Sequence, residues 1–158
     1  MNLSNCFIIL LVLISCTIGA FGQTEQMKER ILSHDYVVAE KALEENVKQK
    51  DVKAVCLSLK HRAQSLRIKA AEALGSIRSE EAVDCLTEAL KVNLASRHAP
   101  GNSDTESRFL SNKLDKSLID ALRVITGLNL PTKNNYSDSE IEKVISRVKE
   151  WQKTHPNR

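Results

Sequence analysis

Apolar residues recur along this chain every three or four positions, and the recurrence divides the sequence into helix-length blocks. Val38, Ala39, Ala42, Leu43 and Val47 share one face of a helix near 35–48, and Val52, Val55, Cys56 and Leu59 share one face of a second near 51–60. Only Gln49 and Lys50 lie between them, a link short enough to force an antiparallel pair. The same form returns as helices near 65–77 and 80–91. A shift of 31 positions places Ala70, Ala73, Leu74, Val83, Leu86 and Leu90 on Ala39, Ala42, Leu43, Val52, Val55 and Leu59. Repetition at this length marks a helical solenoid, in which each helical pair buries its apolar face by stacking on a neighbour.

Polar punctuation supports these boundaries. Ser79 stands as an N-cap, followed by Glu80 and Glu81 at the positive end of a helix dipole. Beyond Asn93 the period breaks, since Leu122 follows Leu74 by 48 residues, and an insertion near 93–108 contains the turn signal Pro100, Gly101, Asn102 and Ser103. Ser103 and Glu106 fit a capping box that opens a long helix from about 104 to 126, with Leu110, Leu114, Leu118, Ala121, Leu122 and Ile125 on one face and Gly127 ending it. Ser137 and Glu140 fit a second capping box, with Tyr136 and Ile141 as its hydrophobic staple. The stripe Ile141, Val144, Val148 and Trp151 then makes the last helix a cap over the final repeat, and makes Trp151 a core-capping residue. Residues 24–34 read as a tether or a short helix, with Met27, Ile31 and Leu32 its only apolar positions.

The best-formed unit carries Leu66, Arg67, Ala70, Ala71, Ala73, Leu74, Gly75, Ile77, Glu81, Ala82, Val83, Leu86, Ala89 and Leu90. In this pattern of arginine, small residues, Leu-Gly and a following helix, the chain resembles the HEAT-like repeats of the phycocyanobilin lyase type, over roughly residues 35–126. The resemblance implies an all-α, short α-α superhelix with a C-terminal capping helix, spanning 35–158. Tyr36 replaces the arginine upstream and Asp115 stands at its place downstream, so the Asp–Arg ladder that the family often builds between repeats is not expected. A lyase-like enzyme or enzyme subunit is the alternative function that the resemblance carries.

Residues 1–23 have no charged side chain, and Phe7 to Ile14 is an unbroken apolar run. That is the hydrophobic region of an export signal, shorter than the roughly 20 residues of a membrane span. Cleavage after Gly22 leaves a mature chain starting at Gln23; the alternative is a lipobox ending at Cys16, which would anchor a lipidated Cys16 in a membrane. Either route places the protein outside the cytoplasm, periplasmic or secreted. The remaining 135 or so residues suffice for one domain. The 23 Lys and Arg and 20 Asp and Glu are interleaved along predicted helices, without a basic stripe able to track a phosphate backbone, so no nucleic-acid partner is expected.

Convergent chemistry is sparse. His34, His61, His98 and His155 lie far apart with no second ligand at metal spacing, and read as surface residues. Adjacent acidic pairs diverge by about 100° around a helix and cannot share a proton. No catalytic residue, cofactor or metal is therefore expected. The expected function is non-enzymatic: an adaptor, monomeric, holding a protein or peptide along its second helices through Lys53, Asp84, Glu88 and Lys91, with a structural envelope lipoprotein as a further alternative. Cys56 and Cys85 sit on second helices. If their flanks face each other, axes about 10 Å apart give a Cα separation near 6 Å and a disulfide; if not, they are two small buried groups. Intact mass of the exported protein is expected to correspond to a chain beginning at Gln23; a diacylglycerol adduct lost in Cys16→Ser would assign the lipobox instead.

Overall fold

A computed structural model of the protein describes residues 25–98 and 105–156, and all regular structure among these residues is helical. The order is α1 (25–31), α2 (Tyr36–Gln49), α3 (Val52–Ser58), α4 (Gln64–Ile77), a 3-10 turn (Glu80–Ala82) leading into α5 (Val83–Ser96), α6 (Thr105–Thr126) and α7 (Asp138–Thr154). The leader, Cys16, Gln23 and the Ser103 capping box lie outside the described residues.

Local chemistry accounts for the ends. The Asp35 carboxylate accepts the Val37 and Val38 amides at 2.9 and 3.4 Å, and Asp51 accepts that of Ala54 at 3.0 Å, so α2 and α3 both start on an aspartate cap. Helices α2 and α4 both stop at a left-handed residue, Lys50 (φ 55°) and Arg78 (φ 58°), and α6 stops at Gly127 (φ 69°). The capping box of α7 forms, with Glu140 accepting the Ser137 amide at 3.0 Å and its hydroxyl at 3.1 Å. The Lys133 ammonium, together with those bonds, holds the Glu140 carboxyl down at about 2. Ser79 departs from expectation: its side chain caps nothing, and the chain enters α5 through the 3-10 turn.

The boundaries of the first helix of each pair repeat at a different period from the apolar pattern. Helices α2 and α4 begin at residues 36 and 64 and end at residues 49 and 77, and their left-handed caps are residues 50 and 78, a spacing of 28 residues, whereas α3 and α5 begin at Val52 and Val83, 31 residues apart as the apolar pattern has it. A shift of three residues turns a helix by about 300°, which leaves the apolar stripe only about 60° from its starting face. In α2 and α4 the 31-residue match therefore overlays similar stripes one turn out of register. The insertion is also smaller than expected, since Asn93 to Ser96 complete α5 and α6 is already formed at Thr105.

One core runs through the molecule. Helix α4 packs between α2 and α6, α6 also lies on α5, and α7 closes the core against α5 and α6. Leu66, Leu74, Leu86, Leu90, Leu118, Leu122, Ile141 and Val148 are buried within it. Ile31 of α1 is buried with Ala42 and Ala54 in a smaller cluster, so the segment read as a tether or helix packs against α2 and α3. Helices α4 and α6 approach most closely at Gly75, where an added Cβ would stand 3.1 Å from the Ala121 Cα. Cys56 of α3 and Cys85 of α5 are joined by a disulfide, with a Cα separation of 5.9 Å. Replacing Gly75 by Val is expected to cost about 1–3 kcal/mol, because the obstructing atoms belong to backbone that cannot step aside; an unchanged urea midpoint would refute this close packing.

Candidate functional site

The residues expected to face a partner divide into two groups. Lys53 at the start of α3 and Asp84 at the start of α5 line one open groove of about 1030 Å³, together with Glu80, Glu81 and the end of α7 at Trp151 and Gln152. Glu88 and Lys91 do not reach it. They form an exposed ion pair at 3.0 Å further along α5. Helix α7 itself occupies part of the expected face, because the Gln152 amide donates to the Asp84 carboxylate.

The groove combines acid and aromatic surface. Glu80, Glu81 and Asp84 outnumber Lys53, while Val83, Trp151 and Pro156 supply apolar wall. Trp151 is half-buried against the core and stacks on the His155 ring, with centroids 4.4 Å apart and planes 10° from parallel. It thus serves as the cap expected of it and as part of the groove.

At the other end of α5 lies a polar cluster that the sequence reading missed. The Asp115 carboxylate is fully buried on α6. It accepts from Asn93 Nδ2 at 2.8 Å and from the Arg97 guanidinium. Arg97 also donates to the Tyr136 carbonyl and the Asp138 carboxylate, each at 3.0 Å, and to Asn112 at 3.2 Å. One arginine, the C-cap of α5, thereby binds α6 and the beginning of α7. Burial pushes the Asp115 carboxyl above the ordinary range, and the Asn93 bond and Arg97 charge offset part of that. A signal was present: Asp115 interrupts the Leu114, Leu118, Leu122 stripe and Asn93 extends the Val83, Leu86, Leu90 stripe, so each places a polar group where burial is required.

One histidine expectation changes, that of His61, while His98 lies on the surface as expected. His61 is buried: its Nδ1 accepts the Ala63 amide at 2.9 Å and its Nε2 lies 2.9 Å from the Ser33 carbonyl, which assigns the neutral ring with the proton on Nε2. His98 is exposed but paired to Asp138 at 2.9 Å. Among the described residues no His, Cys, Asp or Glu group is arranged to hold a metal, and no helix is long and apolar enough to cross a membrane.

No protein-family model matches the chain, and no curated protein or solved structure matches it either.

The buried cluster makes a test of its own. Arg97→Gln leaves the Asp115 carboxylate with Asn93 alone, and is expected to cost about 3 kcal/mol or more at pH 7. The raised folded-state pKa sets the sign: Asp115 binds its proton more tightly when folded, so the loss shrinks as pH falls and the orphaned carboxyl is neutralised. Denaturant unfolding of both proteins at pH 7 and pH 4.5 checks it, and a loss that does not change with pH would rule out Asp115 as its source.

Proposed function

We propose that the protein is a short HEAT-like α-solenoid acting as an exported, non-enzymatic scaffold for a protein or peptide partner. The observation that carries this reading is the open groove between the first turns of α3 and α5 and the end of α7. Its excess of carboxylates beside the Trp151 and Val83 surface suits a partner segment carrying Lys or Arg next to an apolar anchor. Stacked helices supply a rigid wall, so affinity comes from area and shape rather than from one reactive group. The Cys56–Cys85 bridge supports an oxidising compartment, in keeping with the apolar leader.

Trp151 is the sole tryptophan of the chain, so its emission reports directly on the groove. Basic amphipathic peptides are expected to shift Trp151 emission saturably, and the joint change Glu80→Lys, Glu81→Lys and Asp84→Lys is expected to weaken that binding by at least about tenfold, equivalent to about 1.4 kcal/mol. The circular dichroism of the triple variant should match that of the unaltered protein. Equal binding by both proteins would remove the groove from the function. Turnover of a small molecule that depends on His61 or His98 would transfer the reading to the lyase-like alternative.

A further inference from the structure

A second recess, of about 560 Å³, opens where the start of α4, the end of α5 and the start of α6 meet. It lies at the far end of α5 from the acidic groove, roughly 20 Å away along a 14-residue helix. Arg62, Arg67, Arg97, Arg108 and His98 line it, and no carboxylate does so among the described residues. Arg97 is committed inward, since both of its terminal nitrogens donate to Asp115, Asp138, Asn112 and the Tyr136 carbonyl. Arg62 spends one donor on the His34 carbonyl at 2.6 Å.

Arg67 differs from both. Its side chain makes no hydrogen bond or ion pair with any described residue, so its Nε, buried without a partner like that of Arg97, belongs to a guanidinium that no terminal bond compensates. Burial pulls its guanidinium below the ordinary arginine range, with no carboxylate among the described residues to compensate. Half-burying a cation without a counter-charge carries a desolvation cost that no described residue offsets. Arg108, also unpartnered among the described residues, stands on the opposite wall from α6. Gln64, the first residue of α4, also lines the recess, so the positive end of that helix dipole lies at the wall.

We propose that this recess binds the phosphoryl group of a small, water-soluble phosphate monoester. Guanidinium groups arriving from α4, α6 and the turn before α4 present forks from several directions. A tetrahedral oxyanion offers three acceptor oxygens to such an array, whereas a planar carboxylate offers two in one plane. The volume suits a compact ligand rather than a polymer.

Calorimetric titration of the full exported chain with glycerol phosphate and with inorganic phosphate, at constant ionic strength, tests the assignment. Saturable one-to-one binding is expected with both ligands, weakened roughly tenfold or more by Arg67→Gln and separately by Arg108→Gln. Arg147→Gln, on α7 and bonded to the Asn129 carbonyl, should leave it unchanged. Acetate at equal ionic strength should not compete. Ligand-free Arg67→Gln is expected to melt no lower than the unaltered protein, because the substitution removes an unpaired, partly buried charge. A marked fall in its melting temperature would mean that Arg67 serves the fold and would overturn the proposal. So would the absence of saturable binding, equal binding by all variants, or binding only to vesicles containing phosphatidic acid.

Discussion

The arrangement of the C-terminal half depends on satisfying one buried carboxylate. Asp115 sits in the core face of α6, fully removed from water, and its acceptors are met by Asn93 and Arg97 on α5. Because Arg97 uses its remaining donors on Asp138 and the Tyr136 carbonyl, the same cation determines where α7 begins. Apolar packing alone permits helices to slide and rotate within a few residues of register. A buried ion pair with directional bonds does not, since every displaced arrangement leaves a charge unpaired in a medium of low dielectric.

A steric constraint acts beside this electrostatic one. At Gly75 the backbone of α4 meets Ala121 of α6 with no space for a side chain, so these two core helices come together at small residues. His61 performs a similar task with hydrogen bonds at the other end of α4. With one nitrogen it satisfies the Ala63 amide, which has no side-chain cap, and with the other it holds the Ser33 carbonyl. The link between α3 and α4 is thereby tied to the link between α1 and α2, and Arg62 repeats the tie through the His34 carbonyl.

How far these features were legible depended on their range. Helix ends were read well where the signal is a local bond, as at Ser137 with Glu140 and at the left-handed Gly127. The 31-residue period holds for the starts of α3 and α5, while the 28-residue spacing of α2 and α4 escapes it because an apolar stripe is nearly unchanged by a three-residue shift and only the caps at Lys50 and Arg78 reveal it. Asp115, Asn93 and Arg97 were hidden for another reason. Their partnership is assembled from α5, α6 and the start of α7, and a count of apolar positions passes over the polar ones that interrupt the stripe. His61 looked like a surface residue because its partners are backbone atoms, one of them 28 residues away. Of the expected partner face, Lys53 and Asp84 come together in the groove, while Glu88 and Lys91 share the Asp84 side of α5 but lie one and two turns further along it, outside the groove lining.

The bridge from Cys56 to Cys85 has a mechanical meaning that static packing does not convey. It spans 29 positions of sequence, enclosing α4 and the turns on either side of it. Tension applied at the two ends of the chain passes through the sulfur atoms and leaves the enclosed helix slack. A molecule stretched to its limit would therefore be shorter by on the order of 100 Å than its reduced form. The enclosed segment, which holds Arg67 and Gly75, would be the last part of the chain to feel a pull from outside.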